Sequence, residues 1–141
     1  MDDFVLEIPD GWVELYNQMM EDIATLDFDD FEWLQVKEKF GEMRCYPTED
    51  HEEVTDIITK YEVMSGFVCA NCGKPAEVRT LGYILPCCGE CYDSLGYDGT
   101  EPPINFKTEI VIRNLDDMTT RTLDFRNEWE RYLERIGSKQ V

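Results

Sequence analysis

Four of the six cysteines fall into two identical pairs, Cys69-Ala-Asn-Cys72 and Cys88-Gly-Glu-Cys91, separated by 15 residues. No other feature constrains the fold as tightly. Each pair puts two sulfurs on one tight turn. Gly73 follows the first pair and relieves the steric cost of bringing backbone N–H groups onto the sulfurs. C-x2-C-x15-C-x2-C is a zinc-ligand spacing, and four thiolates satisfy a tetrahedral ion with no open position. The expectation is one structural Zn2+ held by Cys69, Cys72, Cys88 and Cys91. Residues 76–86 between the pairs would form a short hairpin about Gly82, giving a zinc ribbon. Cys87 leaves one alternative open, because it could replace Cys88. An iron–sulfur cluster also accepts four cysteines. A catalytic dithiol would need the two pairs to work independently.

Clustered cysteines read as metal ligands in a reducing compartment, and the rest of the sequence agrees with a cytosolic setting. Met1 is followed by Asp2 and Asp3, the wrong charge for a secretory leader, and no apolar run approaches membrane-spanning length. With 141 residues, 43% of them hydrophobic and 17 aromatic, the chain can bury a core as one domain.

The hydrophobic pattern divides the chain into three parts that make one compact domain. Residues 1–66 are an acidic helix–hairpin–helix part. Trp12, Leu15, Tyr16, Met19, Ile23 and Leu26 recur at helical spacing over 10–26, with Asp10 placed to cap the start. Residues 31–39 and 43–46 read as strands joined at Phe40-Gly41. A second helix over 50–65 has capping-box spacing at Asp50 and Glu53, an apolar face of Val54, Ile57, Ile58, Tyr61 and Met64, and Gly66 at its end. Residues 67–93 are the ribbon. Residues 94–141 hold a connector, a hairpin from alternation over 106–113 and a return over 118–123, and a helix over about 125–136 with Phe125, Trp129, Leu133 and Ile136 on one face. The fold class is α+β: two β-hairpins, about three helices and an inserted four-cysteine zinc ribbon.

The charge balance excludes several functions. There are 31 acidic and 13 basic residues, a net charge of -18. Nucleic-acid affinity comes mainly from Lys and Arg neutralising phosphates, so direct DNA or RNA binding is not expected, nor is binding to an anionic membrane. A basic protein partner is favoured, because opposite fields speed encounter. Residues 1–60 hold 18 of the acidic and 4 of the basic side chains, which makes the first half the acidic face. Candidate partner contacts are Glu21, Asp22, Asp27, Asp29, Asp30, Glu32, Glu49, Asp50, Glu52, Glu53 and Asp56. Solubility alone is the competing explanation of the acidity.

Catalysis is not expected. His51 is the single histidine, and a Cys45–His51 nucleophile pair lacks a third group, so Cys45 reads as a buried apolar thiol. Asp27, Asp29 and Glu38 match three positions of a calcium loop, but Glu32 stands where glycine is required. No phosphate-binding loop, dinucleotide fingerprint or serine elbow is present.

The run Lys37-Glu-Lys-Phe-Gly-Glu-Met-Arg-Cys-Tyr46, a helix, Cys69-Ala-Asn-Cys72-Gly-Lys-Pro75 and a second knuckle resembles a group of small phage and prophage proteins. Their pattern is K-E-K-F-G-G-L-R-F-Y, a helix, C-x-x-C-G-x-P and a final C-x-x-H or C-x-x-C. The match covers residues 31–92. Met43 stands in place of leucine, Cys45 of phenylalanine, and Cys91 of histidine. The resemblance implies a zinc knuckle and little about activity, since most such proteins have none assigned. A small acidic phage-type protein without catalytic motifs also looks like an anti-CRISPR inhibitor, of type II-A. That resemblance implies a partner in the host cytosol, an RNA-guided Cas nuclease, and interference with its target-DNA binding. The alternative is a ribbon that binds nucleic acid in phage transcription or replication through Lys74, Arg79 and Tyr83. A phage-assembly scaffold is a third reading.

Overall fold

A computed structural model describes residues 5–80, 83–96 and 101–139. Strand β1 (Val5–Glu7) leads through a 3-10 turn (Asp10–Trp12) into helix α1 (Val13–Ala24). Leu15, Gln18, Met19 and Ile23 of α1 are buried, the stripe that the 3.6-residue period demands. Asp10 does not cap this helix: Pro9 precedes the turn and no side chain caps it. Tertiary bonds fix the entry instead. The Gly11 N–H donates to the Ala70 carbonyl at 2.9 Å, and Trp12 Nε1 donates to the Val68 carbonyl at 2.9 Å.

Strands β2 (Trp33–Lys39) and β3 (Glu42–Pro47) form the expected antiparallel hairpin, with Val36 opposite Cys45 and Lys39 opposite Glu42. Phe40 and Gly41 turn it with φ of 54° and 83°, the left-handed pair that a two-residue loop needs. β1 adds in parallel against β2, with Leu6 beside Val36. Three residues are too few to show alternation, so no local pattern announces this strand. Phe31, expected within the hairpin, lies before it and packs edge-on against Trp33 with ring centroids 4.8 Å apart.

Helix α2 (Glu52–Ser65) buries Val54, Ile58, Tyr61 and Met64 against the hairpin and α1. The Asp50–Glu53 capping box does not form. His51 occupies the N-cap position without a side-chain cap, and its ring stacks on Phe28, with centroids 4.2 Å apart and planes 11° apart. Gly66 is the C-cap as expected.

The ribbon follows, built from β4 (Val78–Arg79), β5 (Pro86–Cys87) and a short helix α3 (Gly89–Ser94) that the hydrophobic pattern does not announce. Its expected turn at Gly82 lies outside the described residues, as does part of the 94–105 connector. Strands β6 (Glu109–Asn114) and β7 (Thr119–Asp124) pair antiparallel from Glu109↔Asp124 to Asn114↔Thr119. Phe106 precedes this hairpin, and its ring packs on Phe67 and Trp129.

Helix α4 (Arg126–Lys139) buries Trp129 and Tyr132, with Phe125 just before it. Leu133, assigned to the buried face, is 37% exposed, and Tyr132 takes its place. The reason is polar: Tyr132 Oη donates to the Gly73 carbonyl at 2.5 Å, so the helix turns that side chain inward. α4 is also pinned to α1 by Arg131–Asp22 at 2.7 Å and by Arg135 with Glu14 and Glu21, both at 2.9 Å. One cluster, running from Trp12 to Tyr132, draws on all three sequence parts, and a second, smaller one gathers Cys69, Cys87, Cys88 and Tyr92 in the ribbon. Among the described residues, no helix is long and apolar enough to cross a membrane.

Candidate metal centre

The first knuckle is a tight hairpin. The Cys69 N–H donates to the Lys74 carbonyl at 2.7 Å, and the Gly73 N–H to the Cys69 carbonyl at 3.0 Å. Gly73 has φ +87°, the conformation its position after Cys72 calls for. The second knuckle begins where β5 passes into α3. Cys88 is the N-cap of α3, and its sulfur accepts the Cys91 N–H at 3.5 Å. Two backbone bonds join the knuckles: Ala70 N–H to the Pro86 carbonyl at 3.0 Å and Glu77 N–H to the Cys87 carbonyl at 2.8 Å.

This framework brings the sulfurs of Cys69, Cys72, Cys88 and Cys91 within 4.8 Å of one another. The Cys72 and Cys88 sulfurs are 3.6 Å apart. A tetrahedral ion with metal–sulfur bonds of about 2.3 Å requires edges of about 3.8 Å. The donor set and its spacing therefore fit a four-coordinate metal. No family model matches this chain. No curated protein matches it, and no solved structure does.

Cys87 lies outside the set of four. It is buried, its backbone pairs with Val78, and burial pushes its thiol up to about 12. Cys88, the next residue, is the N-cap of α3 and belongs to the set of four, while the Cys87 side chain packs beside that set in one cluster with Cys69 and Cys88. Burial also acts to raise Cys69. There it is outweighed by the N–H groups of Cys88, Cys72 and Asn71, which bring the thiol down to about 7. Asn71 Nδ2 donates to the Cys91 sulfur at 3.1 Å, an outer contact that sequence reasoning missed. Four protein donors leave no position for substrate or activated water, so the centre is suited to structure and not to hydrolysis.

The knuckle is clamped from both ends of the chain. A Cβ on Gly11 would sit 2.1 Å from the Cys69 carbonyl oxygen, so only glycine fits there. Trp12 and Tyr132 add their bonds to Val68 and Gly73. Gly11 before Trp12 is visible in the sequence, but no local pattern says that a residue so far along the chain needs the space.

The predicted acidic contacts separate into two groups. Glu21, Asp22 and Asp56 are engaged within the protein. Glu21 pairs with Arg135, and Asp22 accepts from Tyr61 at 2.5 Å and pairs with Arg131. Asp56 pairs with Arg121 at 2.7 Å. The Arg135 guanidinium beside Glu21 holds its carboxyl below the ordinary range. Asp27, Asp29, Asp30, Glu49, Asp50, Glu52 and Glu53 are exposed and form no ion pair among the described residues. Asp27, Asp29 and Asp30 lie on the α1–β2 connector, Glu49 and Asp50 on the β3–α2 connector, and Glu52 and Glu53 in the first turn of α2; the two connectors meet at one end of the β2–β3 hairpin. The Phe28–His51 stack joins them, as does the Thr48 N–H, which donates to the Glu32 carbonyl at 2.9 Å. Glu32 itself is exposed and has a partner.

The residues of the nucleic-acid alternative are also engaged. Lys74 pairs with Glu90 at 2.9 Å, and Tyr83 Oη donates to Glu38 at 2.9 Å. Arg79 donates to the Gly66 carbonyl at 3.0 Å with its guanidinium over Phe67. Cys45 is buried, and its thiol is pushed far up, mainly by burial, as an inert core cysteine should be. Phe28 and Phe31 pack against the core and do not stand out as an exposed patch.

Proposed function

We propose that the chain is a zinc-stapled binding protein that docks through its acidic end on a basic surface of a partner protein. The observation that carries this reading is the meeting of two acidic connectors at one end of the hairpin, where Asp27, Asp29, Asp30, Glu49 and Asp50 are exposed and form no ion pair among the described residues. Such a patch attracts a basic surface over a Debye length and speeds encounter. The partner we propose is the one the resemblance implies: an RNA-guided DNA nuclease, whose heteroduplex channel is positively charged. Docking there blocks target-DNA loading, and the protein acts as an inhibitor in the host cytosol. Zn2+ is the metal we assign to the four cysteines, because four thiolates suit it and closed sites of this kind are structural. The engagement of Lys74, Arg79 and Tyr83 within the fold favours a protein partner over a nucleic acid.

The test is binding to a purified guide-loaded nuclease at two salt concentrations. Asp29→Lys with Asp30→Lys, or Glu52→Lys with Glu53→Lys, should slow association and leave dissociation nearly unchanged. Wild-type affinity should fall as salt rises. Unchanged association in both variants, with no salt dependence, removes the acidic end from the interface. Metal analysis should give one zinc per chain and no visible absorption of the kind an iron–sulfur cluster gives.

A further inference from the structure

At the acidic end, side chains from the two connectors meet around the chain's single histidine. One oxygen each of Asp30 and Glu49 and a ring nitrogen of His51 all lie within 4.8 Å of one another. Asp30 comes from the α1–β2 connector, while Glu49 and His51 come from the β3–α2 connector. Neither carboxylate pairs with Lys or Arg among the described residues, so the convergence of two negative groups is uncompensated there. The imidazole separates this set from a merely acidic surface. It supplies a nitrogen donor, and its stack on Phe28 holds the ring plane in place at the meeting of the two connectors.

We propose that Asp30, Glu49 and His51 form a second metal site, for a divalent transition ion such as Zn2+. Two carboxylates and one imidazole suit borderline transition ions, whereas Ca2+ and Mg2+ select oxygen alone. Three protein donors leave positions for water, so the ion exchanges readily, unlike one enclosed by four sulfurs. Its charge offsets part of the surrounding negative field and ties the two connectors together. The proposal does not depend on the partner reading, because it concerns the free protein.

The test uses protein that already carries one metal equivalent at its four cysteines, titrated calorimetrically with Zn2+ alone. One further equivalent should bind. Asp30→Asn with Glu49→Gln, and separately His51→Ala, should each weaken it by at least about tenfold, since losing even an outer-shell partner of a metal costs that much. Asp29→Asn with Glu52→Gln removes the same charge from neighbouring positions and should change affinity by less than about threefold if the ligands, not the field, hold the ion. The Asp30 and Glu49 side chains are exposed, so that variant pair keeps the fold even if His51→Ala disturbs it. The proposal is overturned by the absence of a further equivalent in the wild type. It is overturned equally if the neighbouring pair weakens binding as much as the ligand pair, or if Ca2+ binds as tightly as Zn2+.

Discussion

The four-cysteine centre and the acidic end both gather groups that carry like charge, yet they are held in opposite ways. The cysteines are held by two knuckles, a two-stranded ribbon, the start of α1 and the middle of α4. Every one of these supports uses backbone bonds or buried side chains. Most of the carboxylates stand on two connectors joined by an aromatic stack and by bonds from Thr48 to the Glu32 carbonyl, and they face solvent. Sulfur crowding must be offset within the fold, and a metal ion suits that role. Carboxylate crowding at the surface is tolerated by water and is available to a partner. Charge density alone therefore does not mark a site as structural or functional; the depth of its supports does.

The comparison breaks first at the cysteines. Serine at Cys69, Cys72, Cys88 or Cys91 should abolish stoichiometric zinc and unfold the chain near room temperature, because structural zinc supplies on the order of 10 kcal/mol. Cys87→Ser and Cys45→Ser should keep the metal, as elemental analysis and circular dichroism would show. Full zinc in Cys88→Ser, with loss in Cys87→Ser, would assign the fourth ligand to the wrong residue. Next in size is Gly11→Ala, which carries no charge and touches no sulfur. Its Cβ meets the Cys69 and Ala70 backbone. Denaturant melts should show a loss of about 3 kcal/mol or more, and a chelator should strip the metal faster than from wild type. A Gly11→Ala protein as stable as wild type would make the ribbon an appendage.

A smaller effect tests the hairpin between the two regions. Burial raises the Glu62 carboxyl above its ordinary value, against the lowering by the Cys45 N–H and by Arg44. The folded chain thus keeps this proton over a range where the unfolded chain has lost it, and stability falls as pH rises through that range. As pH rises above the ordinary carboxylate range, wild type should lose stability relative to Glu62→Gln, and parallel melting curves would show that the carboxyl is solvated. The smallest effect belongs to the acidic end: the double Lys reversals should move stability by no more than about 0.5 kcal/mol while slowing association with a basic partner. A large loss of stability there would make the connectors structural.

The legibility of the fold follows the range of the interactions. The cysteine pairs, the β2–β3 hairpin with its Phe40-Gly41 turn and the stripes of α1 and α2 each follow from residues near in sequence, and they are readable for that reason. β1 is not, because a three-residue parallel strand is specified by the neighbour it joins. Asp10 and Asp50 have the chemistry of caps but are overruled, by bonds to Ala70 and Val68 in one case and by the Phe28 stack in the other. Tyr132 displaces Leu133 because a carbonyl 59 residues away needs a donor. The acidic half is visible in composition. That Glu21, Asp22 and Asp56 are used internally depends on Arg135, Arg131 and Arg121, which lie far along the chain.

The clamp on the first knuckle also has a consequence during biosynthesis. Gly11 and Trp12 emerge from the ribosome well before the cysteines, and Tyr132 well after them. Chains are synthesised from the N-terminus at about 5–20 residues per second, so a ribosome-bound chain can present all four cysteines before α4 exists to cover them. In that interval Phe125, Trp129 and Tyr132 are missing from the core, and the Gly73 carbonyl lacks its donor. A metal acquired then would be held by the knuckles alone and would exchange with competing thiols. Arrival of α4 would make such an ion harder to remove, so a nascent chain stalled before Tyr132 should surrender its metal to a chelator that the finished protein resists.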